Sequence, residues 1–237
     1  MRRLGIFASA CAALLQGMPA SAANLQISPV SIRYQSGQTA ASIALQNLGD
    51  TPVFGQVRVF HWTQKDGIDV LTPTDQLVAS PPIVEIGAHS TQTVRLIRRA
   101  AVNNTAELSY RIVIDEIPRD AGPGSGVDIR LRYSVPVFMM PAASNAAPKL
   151  TWKLFRQHER WMLRVHNTGN LHAQLGTAVL DTDAGAQFSI SKGLLGYVLV
   201  GESREWQLAV DQSAQLGPTP TIRATVNATA VSVTPQQ

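Results

Sequence analysis

From Asn24 onward the chain never sustains a helical period. Short alternating or apolar runs are broken by turn residues about every eight to twelve positions. That rhythm admits a sandwich or barrel of short strands and argues against a helical bundle, since no stretch carries a capped amphipathic stripe. The longest alternation is Val127-Asp128-Ile129-Arg130-Leu131-Arg132-Tyr133-Ser134-Val135-Pro136-Val137, with large apolar residues at the odd positions and mostly polar ones between. Odd and even side chains of a strand leave opposite faces. Proline cannot donate to a ladder, so Pro136 places part of this strand at a sheet edge.

The strands expected before and including that stretch are Leu25 to Tyr34, Ala40 to Asn47, Val53 to Thr63, Ile83 to Glu85, Thr91 to Arg98, Ala106 to Ile117 and Val127 to Met140. Seven strands are the content of an immunoglobulin-like sandwich, here without a cysteine pair. Two of the turns, Asn47-Leu48-Gly49-Asp50 and Lys65-Asp66-Gly67, each supply a glycine that tolerates positive φ. The small, uncharged segment from Pro141 to Pro148 reads as a linker. After it, strands are expected at Lys149 to Arg156, Trp161 to Asn167, Ala173 to Thr182, Arg204 to Val210 and Thr221 to Val233. An internal echo points to two similar units: Ile43-Ala44-Leu45-Gln46-Asn47-Leu48-Gly49 corresponds to Leu163-Arg164-Val165-His166-Asn167-Thr168-Gly169, 120 residues later.

The head of the chain, Met1-Arg2-Arg3, a short apolar run to Leu15 and Ala20-Ser21-Ala22, has the form of a secretory signal peptide cut after Ala22. The apolar run is too short to span a bilayer, and no later segment approaches the roughly 20 residues required. The expected organisation is a signal peptide over 1–22, an immunoglobulin-like domain over 23–141, a linker over 142–148 and a second β-sandwich over 149–237, all-β throughout. Cys11 is the only cysteine, so an exported chain without it has no disulfide and depends on burial for stability. The formal charge of +4 falls to +2 without Arg2 and Arg3, and no basic run remains. Nucleic-acid binding, which needs a clustered basic footprint, is disfavoured.

Catalytic constellations are not evident. His61, His89, His158, His166 and His172 show no zinc-like or triad spacing, and Asp115-Glu116 are strand neighbours that point to opposite faces. The Gly122-Pro123-Gly124-Ser125-Gly126 loop lacks the order of a nucleophile elbow and the Lys-Ser/Thr of a phosphate cradle. Neither an enzymatic activity nor a cofactor is expected. An exported adhesive or carbohydrate-binding module is the alternative, and it calls for an exposed aromatic platform. Trp62, Trp152, Trp161 and Trp206 lie at no common spacing, which suits core packing better.

Several segments, taken in order, resemble a known family. They are the Ser28-Pro29 strand running on to Asn47, Ser80-Pro81-Pro82-Ile83 with its candidate cis peptide, Thr91-Gln92-Thr93-Val94-Arg95-Leu96, Tyr110-Arg111-Ile112-Val113-Ile114-Asp115-Glu116-Ile117-Pro118, and the short loop to the long strand that ends at Pro141. Over almost the whole exported chain the sequence is similar to the periplasmic pilus-assembly chaperones of the PapD-like superfamily. The short loop resembles the short-loop members, and Ser134-Val135-Pro136-Val137-Phe138 resembles the archaic, spore-coat-like branch.

The resemblance implies a periplasmic protein of two immunoglobulin-like domains set in an L. It would bind pilus or fimbrial subunits and deliver them to an outer-membrane usher. It also implies strand addition, in which the seventh strand completes a subunit that lacks its last one. Val127, Ile129 and Leu131 match the donor positions, with Tyr133 a fourth candidate. Periodicity alone fits equally an ordinary strand whose odd residues face its own core. Arg130 and Arg132, on the other face, suit an edge protected from aggregation. Classical members hold the subunit's terminal carboxylate with an arginine and a lysine in the cleft between domains. Those positions here are Ser31 and Pro136, so the candidates for a replacement are Arg33, Arg95, Arg98 and Arg132.

Overall fold

The computed structural model describes residues 25–99, 104–118, 130–143, 145–211 and 213–237. Ten strands build the first half of the molecule: β1 (Leu25–Ser28), β2 (Ile32–Tyr34), β3 (Ala40–Asn47), β4 (Val53–Lys65), β5 (Ile68–Pro73), β6 (Leu77–Ser80), β7 (Ile83–Ile86), β8 (Thr91–Arg98), β9 (Leu108–Glu116) and β10 (Arg132–Met139). They form one sheet in the order β1-β3-β8-β6 and a second in the order β2-β10-β9-β4-β5, with β7 paired to the first half of β4. Alternation explains the layering. In β3, Ile43 and Leu45 face inward with no exposed surface, and they meet Val94 and Leu96 of β8 and Ile112 and Ile114 of β9 in one core. Full burial of each such side chain is worth about 1.5–3 kcal/mol.

The stretch from Leu25 to Tyr34 proves to be two strands in different sheets. β1 pairs antiparallel with β3, and beyond Pro29 the chain crosses to pair β2 parallel with Val137–Met139 of β10. Pro29, which has no amide hydrogen, stands at the crossing. Both Ser28-Pro29 and Ser80-Pro81 are cis. β5, an exposed edge strand, carries no periodic signal and was not expected.

A second sandwich follows: β11 (Leu150–Gln157), β12 (Arg160–Asn167), β13 (Ala173–Asp181), β14 (Gln187–Ser191), β15 (Gly196–Val198), β16 (Ser203–Gln207), β17 (Thr221–Val226) and β18 (Thr229–Val233). One sheet runs β11-β12-β16 and the other β14-β13-β17-β18, with β15 on β13, around a core that includes Leu154, Leu163, Leu175, Leu180 and Ile222. The expected strand from Thr221 to Val233 is a hairpin. Its two turn residues, Asn227 and Ala228, take φ of 47° and 65°, the left-handed pair that a two-residue hairpin turn requires. An Asn-Ala pair is a weaker turn signal than Asn-Gly, which is why the sequence read as continuous strand.

The echoed corners are built alike, though not as expected. Gly49 and Gly169 are absent from the positive-φ residues. Their amides instead donate to the side-chain oxygens of Asn47 and Asn167, each at 2.9 Å. Asn47 Nδ2 donates to the carbonyls of Thr51, Ile86 and Gly87, and Asn167 Nδ2 donates to those of Leu171 and Val198. A Cβ on Gly169 would lie 2.3 Å from the Ala147 carbonyl oxygen, so the glycine is required for close approach of the linker. Gly67, with φ of 76°, does use the left-handed region.

The sandwiches meet at a small aromatic cluster of Trp62, Phe138 and Leu199, with Tyr197 against it. Gln64 spans the contact, donating to the Tyr197 carbonyl at 2.8 Å and accepting from the Leu199 amide at 3.0 Å. Beside it, Glu107 accepts from both the backbone amide and Nδ1 of His172, at 3.1 and 2.7 Å.

Candidate functional site

β10 is paired on one side along its whole length and on the other for only three residues. β9 runs antiparallel to it from Arg132 to Met139, whereas β2 covers Val137–Met139 alone. Among the described residues, the side of Arg132–Pro136 away from β9 therefore carries no strand. This is the edge that Pro136 implied. Tyr133, Val135, Val137 and Met139 face the first core, Tyr133 only partly buried at its margin. Leu131, next on the same parity, is half-buried; its amide donates to Glu116 Oε2 at 3.4 Å, and its carbonyl accepts from the Glu116 amide at 3.2 Å. Val127 and Ile129, the other two expected donor residues, lie outside the described residues, as does the Gly122–Gly126 loop.

The opposite face of β10, at Arg132, Ser134, Pro136 and Phe138, looks outward and toward the second sandwich. The rings of Phe138 and His172 stack with centroids 3.6 Å apart and planes 9° from parallel, and Trp62 meets Tyr197 edge-on at 5.5 Å. Arg111 of β9 stands in register with Pro136, and its guanidinium lies 3.7 Å above the Trp62 ring and 5.5 Å from that of Tyr197. A cation over an aromatic face is held by the ring quadrupole. Burial lowers the pKa of Arg111, with nearby Asp69 acting in the opposite sense. Burial raises the pKa of Tyr197, while the charges of Arg111 and Arg33 hold it down, so both cations act on one phenol in the cleft.

The four expected arginines are not brought together. Arg33 sits on β2 in register with Phe138, at the cleft, and Arg132 begins β10. Arg95 and Arg98 belong to β8 in the other sheet, Arg95 exposed and Arg98 close enough for its charge to act on Tyr34 and Tyr110. Arg111 was not among the expected anchors. Only the β9–β10 register sets it opposite Pro136, and no pattern within Tyr110-Arg111-Ile112 reports that register.

At the start of β10, Asp115 of β9 is held between two arginines. Arg58 Nη2 of β4 donates to it at 2.5 Å, and Arg132 Nε donates to its other oxygen. Burial pushes the Asp115 carboxyl up, but hydrogen bonds from Arg132 and Arg58 outweigh it and leave the pKa below the ordinary value. Glu116, the next residue, contacts Leu131 instead, as expected for neighbours on opposite faces.

The arrangement can offer main-chain hydrogen bonds along an open edge, the half-buried Leu131 next to it, and cations in a cleft. His166 Nδ1 lies 2.9 Å from Ser203 Oγ, and His61 packs edge-on against Tyr110. Among the described residues no group of three or more His, Cys, Asp or Glu could hold a metal ion. No helix there is long and apolar enough to cross a membrane.

Comparison with known proteins gives one family. The family model for pili and flagellar-assembly chaperones, PapD N-terminal domain, matches residues 24–145. Among solved structures, the chain is similar to one from the CsuC–CsuE chaperone–tip adhesion subunit pre-assembly complex of archaic chaperone–usher Csu pili of Acinetobacter baumannii. Identity is 23%, coverage 90% of this chain and 99% of that one, and the TM-score 0.71. It is similar to the YadV chaperone at 17% identity, 88% and 97% coverage and a TM-score of 0.64. The Pseudomonas aeruginosa CupB2 chaperone matches at 17% identity, 89% and 100% coverage and a TM-score of 0.61. No curated protein matches the sequence. At these identities the structural likeness is one of fold.

Proposed function

The chain belongs to the periplasmic pili and flagellar-assembly chaperones of the PapD-like superfamily, and from that premise we propose that it captures incomplete pilus subunits by lending them the strand that leads into β10. It then passes them to an outer-membrane usher. The observation that carries this reading is the half-covered edge of β10, continuous with Leu131 on the parity of the home core. Val127, Ile129 and Leu131 are the donor residues. Each contributes about 1.5–3 kcal/mol when its side chain fills an apolar groove, before ordering costs. Main-chain bonds along the open edge add register, the mode of recognition in which a strand joins an incomplete sheet. Tyr133 remains with the home core, at the margin of the lent segment.

The terminal carboxylate of the subunit goes to the cleft. Pro136 cannot supply a cation there, and Arg111, its cross-strand neighbour, supplies one, with Arg33 across β10 a second cation whose charge reaches the same Tyr197 phenol. Arg111 makes no ion pair with any described residue, so its charge is available to a carboxylate. A sugar-binding role has less support: Trp62 and Trp152 are buried, and Trp161 and Trp206 pack against the second core.

Co-purification with a pilus subunit of the same genome tests the proposal. Ile129→Asp with Leu131→Asp is expected to abolish capture, and Arg111→Met to weaken it by about tenfold, the scale of one charge-assisted contact. Capture undiminished by the double substitution would remove the donor-strand assignment. Capture undiminished by Arg111→Met would remove the anchor alone.

A further inference from the structure

We propose that Asp115 and Glu116 form a clamp that fixes the point where the lent strand leaves its own sandwich, with Asp115 as the positioning residue. This rests on the donor-strand reading above. A regular alternation such as that of Val127 to Val137 specifies which face is apolar but does not say where home pairing ends. The end of β9 does. Successive amides of β9 point to β10 and β4 in turn: Ile117 donates to the Phe54 carbonyl of β4 at 2.8 Å, and Pro118, next on the side of β10, has no amide to give. Within the described residues, the last rung between the two strands is therefore the one at Glu116 and Leu131.

That rung is held from both faces. On the core side, the Glu116 amide donates to the Leu131 carbonyl, and the Leu131 amide donates to Glu116 Oε2. On the outer side, Asp115 is in register with Arg132 and binds it, while Arg58 of β4 holds the second carboxylate oxygen. Core packing holds this end only weakly, through the partly buried Leu131 and Tyr133. Arg132 keeps 70% of its side-chain surface exposed, and buried core positions begin only at Val135. Asp115, with 19% of its side chain exposed, ties Arg132 of β10 to Arg58 of β4 through one carboxylate. Its consequence is preorganisation: a donor segment rooted at Leu131 and Arg132 loses less freedom on joining a subunit than one that is free as far as Val135.

The carboxyl is the titratable element. Facing it are Arg58 and Arg132 on the outer side, with Arg130 lining the same recess and Glu116 one residue away. With its pKa lowered by the arginines against the opposing effect of burial, Asp115 keeps its charge, and its hold on Arg132, to lower pH than an ordinary carboxyl, and releases it as pH falls through that lowered value.

Amide hydrogen exchange on the full chain, without any subunit, tests the proposal. Asp115→Asn and Asp115→Ala are expected to speed exchange by about tenfold at the Leu131 and Tyr133 amides, the two that face β9, with those of Val135, Val137 and Met139 and the thermal midpoint unchanged. Asp115→Glu should restore part of the protection, and Arg132→Gln should reproduce the loss. Unchanged exchange at Leu131 and Tyr133 in both Asp115 variants overturns the proposal, as does a rise spread evenly over β10. Because no partner enters this measurement, its outcome is independent of the capture test. A responsive clamp with capture untouched by Ile129→Asp and Leu131→Asp would reject the donor reading and leave the clamp standing.

Discussion

Asn47 and Asn167 show how much one side chain can organise in a protein without disulfides. Each buried amide makes four hydrogen bonds. Those of Asn47 reach the Thr51, Ile86 and Gly87 carbonyls and the Gly49 amide, and those of Asn167 reach the Leu171 and Val198 carbonyls and the Gly169 and Lys149 amides. Truncation leaves several buried backbone groups unpaired, so Asn47→Ala and Asn167→Ala should each cost about 3–4 kcal/mol in urea unfolding, against under about 0.5 for Gln46→Ala on the exposed face. A loss near that of the control would mean that water replaces the side chain freely. The recurrence of Asn-x-Gly was legible in the sequence because both residue types recur in the same order. The reason for it was not. The glycine amide serves an asparagine oxygen two residues back, and at Gly169 the glycine also admits the backbone at Ala147, an approach settled by another segment of the chain, much as the distant β9–β10 register hid Arg111.

At the scale of the element, β10 divides into a part that stabilises this protein and a part that does not. Val137 is fully buried, Tyr133 is at the margin, and Leu131 is half-buried at the last rung. Val137→Ala should therefore cost about 2 kcal/mol, Tyr133→Ala less, and Leu131→Ala least, again by urea unfolding. An equal cost at all three positions would place Leu131 in the home core and leave nothing to lend. Alternation had indicated the strand and its apolar face. Its neighbours were out of reach, because the switch of the Leu25–Tyr34 stretch between sheets at Pro29 decides how far β2 covers β10. β5, β6, β14 and β15 escaped for a simpler reason: they are short, and even the alternation of Phe188 and Ile190 in β14 spans too few residues to mark a strand.

The whole molecule is joined by a junction much smaller than either core. Phe138, on the outward face of β10, stacks on His172 of the second sandwich, and His172 is bound by Glu107 of the first. The Glu107 side chain has no exposed surface and that of His172 only 5%. Since the partner is a carboxylate, Nδ1 of the imidazole is the donor. Glu107 Oε2 has no hydrogen-bond partner, so the pair already carries a desolvation cost that only its existing bonds offset. Gln64, the Asp69–Arg204 ion pair and the Glu107 amide bond to the Asn170 carbonyl complete the contact. Two sandwiches coupled this way should unfold in one calorimetric transition. Glu107→Ala leaves the His172 amide and ring without their acceptor in a buried site, and removing one member of such a pair costs about 3–5 kcal/mol. That loss matches what the remaining polar contacts supply together, each worth about 1 kcal/mol, and leaves little net coupling between the sandwiches. The expected outcome is two transitions, with the individual cores retaining their strands by circular dichroism and the radius of gyration in X-ray scattering increasing. A single transition at the wild-type midpoint would show that the aromatic cluster alone couples the domains. Because Phe138 belongs to the strand whose other end is lent, a loosened junction should also weaken subunit capture without altering exchange at Leu131 and Tyr133.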